Sequence, residues 1–293
     1  MMTPSLTALL SRLIDYAGLF PPAALPMETT VANYGRYRAS SEQWMLGRLI
    51  VPVARFAELE PTLASVAATS SGPWQISAII GGDLIADLAQ IDEFNARNRG
   101  RALVDAIETK IATSAGIEAA ATMIPASFET YFELPLVLDP DALVAAIAPT
   151  GCRAKMRTGG VTADAFPPAS QIVRFIERCA AHGVAFKATA GLHHPLRCVR
   201  PLTYEPGSAT GTMHGFLNVF LTAALIHHRH PGALAEELLE ELDPAALTID
   251  DESIAWRGHR LSTAELAASR ALATSFGSCS FEEPVGELAA LTN

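Results

Sequence analysis

Short apolar runs alternate along the chain with longer stretches in which apolar residues recur every three or four positions. This double rhythm predicts repeated strand–helix units. The runs that read as strands are Leu13–Ala17, Gly47–Pro52, Gln75–Gly81, Ala102–Lys110, Thr130–Pro135, Arg153–Thr158, Ala185–Ala190 and Ala273–Ser278. Helical spacing marks Phe56–Ala68, Ile85–Asn98, Ala115–Ile124, Asp141–Ile147 and Ala169–His182. Eight strands with helices between them fit a closed α/β barrel of the (β/α)8, or TIM, type better than an open doubly wound sheet. A chain of 293 residues is of ordinary length for one such barrel, so residues 1–293 read as a single domain.

The rhythm breaks between about residues 198 and 272, which is too long for one strand–helix connection. This insertion before the last strand holds an apolar helix, Met213–Ile226, a second helix, Leu234–Leu242, and a hairpin across residues 246–262 turning at Arg257-Gly258. Phe20–Pro26 reads as a loop after the first strand. The apolar helix leaves open a face for a second copy of the chain, and thus a homo-oligomer.

Hydrophobic residues make up 49% of the chain, charged residues 18%, and mean hydropathy is +0.24. That balance suits parallel strands buried on both faces. No apolar run reaches the roughly 18 residues that span a bilayer, and the N-terminal stretch lacks the basic and small-residue marks of a secretory signal. A net charge of −10 and a pI near 5.3 argue against nucleic acid or an anionic membrane as partner. Cys152, Cys179, Cys198 and Cys279 show no metal or disulfide spacing, so reduced thiols in the cytoplasm are expected. No glycine-rich phosphate loop follows any strand, and no cofactor is expected.

In such barrels chemistry gathers at the carboxyl ends of the strands. Arg153-Ala-Lys-Met-Arg157 puts Lys155 and Arg157 on one pleat face, and the next strand puts Lys187 and Thr189 together. A lysine pointing into a barrel is costly unless paired or neutralised. Two on neighbouring strands would depress one another's pKa, as an amine needs in order to attack a carbonyl and form a Schiff base. Carboxylates are at hand: Asp105 lies on one face of its strand and Glu108 with Lys110 on the other, and Glu133 lies on the strand after it. Any of these carboxylates could shuttle protons, or form a salt-bridge ring that stabilises the barrel.

With these residues in view, the sequence resembles deoxyribose-phosphate aldolase. AKMRTGG, followed by FPPASQIVRFIERCAAHG and GVAFKATAGLHHP, is similar to that family's K-T-S-T-G strand, helix and G-x-K-x-x-G-G strand. LIDYAGLFPPAALPMETTVANYGR resembles its opening I-D-H-T-L-L-K-P segment, and ATSFGSCS resembles its R-x-G-x-S-S loop. LVDAIET and YFELP resemble its V-D-x-V and I-E-T-G strands. The resemblance implies a TIM barrel acting as a class I aldolase. Lys155 would then be the Schiff-base lysine, Lys187 the lysine that lowers its pKa, and Asp105 the proton-shuttling acid. Backbone around Gly160, Gly191 and Ser278-Cys279-Ser280 would meet a substrate phosphate. The sequence departs from the pattern at Gly160, Arg157, Leu192 and Cys279, which weakens the phosphate site more than the carbonyl-binding lysine. Arg157 could instead grip a carboxylate bidentately, so a small aldehyde or keto acid is the expected substrate.

The histidines carry a rival reading. His193 and His194 follow the seventh strand, His214 opens the next helix, and His227, His228 and His230 close it. A metal held by His193, His194, His214 and Glu133 is one alternative, although no metal is expected. His193 and His194 as donors that orient substrate is another, and a barrel that only binds a small ligand is a third.

Overall fold

The computed structural model describes residues 3–66, 72–229 and 232–292. After a first helix, α1 (Pro4–Leu10), the chain runs through β1 (Ile14–Tyr16), α2 (Met27–Arg38), β2 (Leu46–Pro52), α3 (Phe56–Val66), β3 (Trp74–Ile79), α4 (Leu84–Arg97) and β4 (Ala102–Lys110). It continues with α5 (Ser114–Met123), β5 (Glu129–Glu133), α6 (Asp141–Ile147), β6 (Arg153–Arg157), α7 (Ala169–His182) and β7 (Phe186–Thr189). Next come β8 (Cys198–Pro201), β9 (Thr210–Met213), α8 (Phe216–His227) and α9 (Gly232–Leu239). β10 (Leu247–Ile249), β11 (Ser253–Trp256), β12 (His259–Ser262), α10 (Thr263–Ser269), β13 (Ala273–Ser278) and α11 (Glu282–Thr292) complete the chain.

β1 to β7 and β13 pair in parallel and close into a barrel, β13 lying between β7 and β1. This is the (β/α)8 TIM barrel, with each strand where an apolar run predicts it. Outward residues such as Phe132, Ala154, Met156, Phe186 and Ala188 are fully buried against the helices. The amphipathic α7 buries Ile172, Val173, Phe175, Ile176 and Cys179 and stops at Gly183, whose φ of +65° an L side chain rarely adopts.

The segment before β13 differs in detail from its expectation. β8 and β9, an antiparallel pair above the barrel mouth, carry no alternation strong enough to read from sequence. The predicted hairpin is a three-stranded sheet, β10-β11-β12, with Arg257 and Gly258 both at positive φ in the last turn. α8 starts at Phe216, because Met213 belongs to β9, and α9 stops at Leu239. Residues Phe216 to Ile226 of α8 are all buried within the chain, Phe216 and Phe220 packing on Phe276 of β13 and Asn218 and Thr222 donating to the Leu238, Glu241 and Ala235 carbonyls. Its composition therefore needs no partner subunit. The end of the predicted Phe56–Ala68 helix, residues 67 and 68, lies outside the described residues. Among the described residues no helix is long and apolar enough to cross a membrane.

One irregularity positions the chemistry. Between β3 and β4 the register passes from Ile76 opposite Val104 to Ser77 opposite Ala106, so Asp105 is an extra residue, a β-bulge. The bulge resets the alternation, and one strand sends Asp105 to the amino-terminal mouth and Glu108 to the middle of the interior.

Candidate active site

Most TIM barrels fill their interior with branched aliphatic side chains. This one carries a chain of buried charge. β6 and β7 pair with Lys155 opposite Lys187 and Arg157 opposite Thr189. The two lysines do not face each other unscreened, because Glu108 of β4 lies between them: Lys155 Nζ donates to its Oε2 at 2.6 Å and Lys187 Nζ to its Oε1 at 2.7 Å. Lys187 also donates to Asp15 of β1 at 2.6 Å, and Lys155 lies 2.9 Å from Glu133 of β5. Ser77 and Ser275 donate to Glu108 and Asp15, and the Arg48 backbone N–H caps the other Asp15 oxygen. The buried carboxylate oxygens are thereby satisfied, as low dielectric requires.

At Lys187 the flanking carboxylates outweigh the depression expected from a second lysine. Burial alone would push the Glu108 carboxyl up, but the Lys155 and Lys187 ammonium groups outweigh it and hold Glu108 far below the usual carboxylate range. Burial would push the Lys187 ammonium down, and Asp15 and Glu108 overcome it, so Lys187 keeps its proton more tightly than a free lysine. Glu133 is held low against its burial by Lys155 and Arg157.

The carboxyl-terminal mouth opens into a cavity of about 320 Å³ with Lys155 and Glu108 at its floor. Arg157 enters from the side, its Nε 3.3 Å from Glu133 and its side chain half exposed. The loop after β1 brings Phe20 and two prolines to one wall, and the β8–β9 connection brings Leu202 and Tyr204 over the top. Thr189, Gly160 and Gly191 line the same cavity. Gly191 has φ +78°, and a Cβ there would stand 2.9 Å from the Gly159 Cα, so the turns after β6 and β7 meet only because both are glycine. Lys187 and Asp15 lie beneath this floor and do not line the cavity.

Other predicted residues are placed differently. Asp105 is not brought to Lys155. It forms a two-pronged ion pair with Arg48 at the opposite mouth, at 2.7 and 3.0 Å, and the carboxylate beside both lysines is Glu108. Ser278 and Ser280 turn onto their own loop: Ser278 Oγ accepts the Ser280 N–H and Ser280 Oγ accepts the Glu283 N–H. Cys279 between them faces the cavity. His193 and His194 both line it, their Nδ1 atoms 2.6 Å from Glu283 and 2.8 Å from Glu287. His214 is buried and does not line the cavity, its Nε2 on the Pro167 carbonyl and its Nδ1 without a partner. Burial lowers its pKa.

The alternative metal set of His193, His194, His214 and Glu133 is therefore not assembled, and His230 lies outside the described residues. His194, Glu283 and Glu287 bring one atom each within 4.8 Å of the others, the one such trio among the described residues. Each is already in a hydrogen-bonded carboxylate–imidazole pair, and we assign no metal to them.

Sequence reasoning passed over Asp15, although a single acid in the apolar run Leu13-Ile-Asp-Tyr-Ala17 is the same signal that marked the lysines. Glu108 stands in the sequence as one of several carboxylates able to shuttle protons and is not preferred over Asp105, because the bulge that turns it toward Lys155 leaves no mark in the apolar pattern. No protein-family model matches the chain, and no curated protein matches it.

Proposed function

We propose that this chain is a carbon–carbon lyase of the class I aldolase type, acting on a small aldehyde or keto acid through a Schiff base on Lys155. The observation that carries the reading is a buried amine at the floor of an open cavity, flanked by two carboxylates, with a second lysine held beneath it. The sequence resemblance to deoxyribose-phosphate aldolase points the same way.

In this reading Lys155 passes its proton to a flanking carboxylate, and the free amine adds to the substrate carbonyl. Loss of water leaves an iminium. That cation draws the electron pair of the neighbouring carbon–carbon bond into an enamine, while Glu108 takes the proton of the β-hydroxyl and an aldehyde departs. Forming the neutral enamine removes one of the two positive charges that hold Glu108 low, so Glu108 gains proton affinity at that step. Protonation of the enamine carbon and hydrolysis release the second product. Lys187, fixed between Asp15 and Glu108, keeps positive charge near Glu108 throughout and positions it. Arg157 receives a substrate carboxylate. We place this chemistry in the cytoplasm, where the four free thiols stay reduced.

The test is borohydride trapping. The full chain is incubated with small aldehydes and keto acids, reduced, and mapped by peptide mass. A reduced adduct on Lys155 that is absent from Lys155→Ala supports the proposal. A blank across the panel from folded protein refutes it and leaves a barrel that only binds its ligand.

A further inference from the structure

The wall of the cavity holds a second group of chemically capable side chains, contributed by three separate elements. Cys279 stands on the turn after β13, His193 on the loop after β7, and Glu283 in the first turn of α11. The Cys279 sulfur lies 3.7 Å from His193 Nε2, and His193 Nδ1 lies 2.6 Å from a Glu283 oxygen. The Tyr204 hydroxyl donates to the same Glu283 oxygen at 3.1 Å and fixes it from the far side. All four residues line the cavity.

We propose that Cys279, His193 and Glu283 form a nucleophilic triad, and that Cys279 accepts the acyl group of a small thioester or activated ester. The geometry carries the proposal. One imidazole nitrogen meets the thiol and the other meets a carboxylate, the alignment by which a carboxylate orients a base and the base takes the nucleophile's proton. The thiol also faces substrate-sized space, whereas Cys179 is sealed in the core. Burial would lower the His193 pKa, yet Cys279 and Glu283 raise it to about 10, so His193 holds a proton near neutral pH. Other titratable groups surround this pair: Tyr16 of β1, Tyr204 of the β8–β9 connection, His194 with its ring 6.4 Å from that of His193, and Glu283.

The step balances without an oxidant or reductant. With the proton of the pair resting on His193, Cys279 Sγ bonds to the acyl carbon. The bond from that carbon to the leaving sulfur or oxygen then breaks, and His193 returns the proton to the departing thiol or alcohol. Water, deprotonated by His193, resolves the acyl-cysteine to a carboxylic acid. A cavity of about 320 Å³ limits the acyl group to a small one. None of this rests on an imine at Lys155.

The experiment treats the full chain with p-nitrophenyl acetate, follows nitrophenolate release, quenches with acid and maps the acetyl group. A stoichiometric burst with acetyl on Cys279 is expected. Cys279→Ser and His193→Gln, checked for a native melt, should slow the burst by about 100-fold or more. Independently, iodoacetamide at about pH 6, where ordinary thiols are protonated, should label Cys279 in the unmodified protein ahead of Cys152 and Cys198. That second reading stands even if a variant misfolds. Acetyl on Lys155 or elsewhere with Cys279 untouched, or Cys279 labelled no faster than the other cysteines, overturns the proposal. Because the adducts on Lys155 and Cys279 are mapped separately, failure here is distinct from failure of the Schiff-base reading.

Discussion

Replacing Glu108 by glutamine tests the central claim of the interior, that one carboxylate holds two buried lysines. Gln keeps the volume and can still accept from Ser77, but its amide end sets a donor against a lysine donor and removes the charge between two ammonium groups. Breaking a buried ion pair by removing one partner costs about 3–5 kcal/mol. Here each lysine keeps one carboxylate, Asp15 for Lys187 and Glu133 for Lys155, which sets the expectation at the lower end, about 3 kcal/mol. For 293 residues that lowers Tm by about 5 °C. The pH dependence is a second readout. Because the folded Glu108 carboxyl is depressed, its contribution to stability is present above its unfolded value of about 4.3 and is lost as pH falls below it. Urea unfolding of the wild type between pH 5 and pH 3 should therefore fall more steeply than that of Glu108→Gln, by up to about 1.4 kcal/mol per pH unit. A loss under about 1 kcal/mol together with parallel acid limbs would refute the bridged-lysine arrangement.

Asp105→Asn should cost about 1–3 kcal/mol in urea unfolding, through the loss of its bidentate pair with Arg48, and leave the borohydride adduct on Lys155 intact. Loss of the adduct would return the acid role to Asp105. Arg157→Met should lower trapping efficiency with keto acids by about 10–100-fold while leaving uncharged aldehydes near wild type. Equal losses for both would remove the carboxylate-binding role. Gly191→Ala combines a left-handed φ of +78° with a Cβ 2.9 Å from the Gly159 Cα, and should destabilise by about 1–2 kcal/mol or more in thermal melts. An unchanged melt would mean the two turns can part freely.

The barrel was legible because its evidence is periodic and repeated. Eight apolar runs, each buried on both faces, leave eight similar marks, and an error of one or two residues at a boundary alters none of them. β8 and β9 left no mark because Cys198 to Pro201 lie largely exposed over the mouth, without an inner face to force alternation. The lysines were legible for a related reason: a cation in an otherwise apolar strand must be solved structurally, and alternation alone puts Lys155 with Arg157 and Lys187 with Thr189. Alternation misled at β4, where Asp105 and Glu108 differ by three positions and cannot share a face in a regular strand. The single extra residue at Asp105 breaks that rule. With it, Asp105 meets Arg48 at one end of the barrel while Glu108 reaches the lysines in the middle. Deleting the bulge would turn the rest of β4 over by one position and send the Glu108 carboxylate out among the helices, leaving Lys155 and Lys187 to Glu133 and Asp15 alone. Which acid can serve the lysines is therefore decided by the backbone register of a neighbouring strand pair more than by the choice between Asp and Glu.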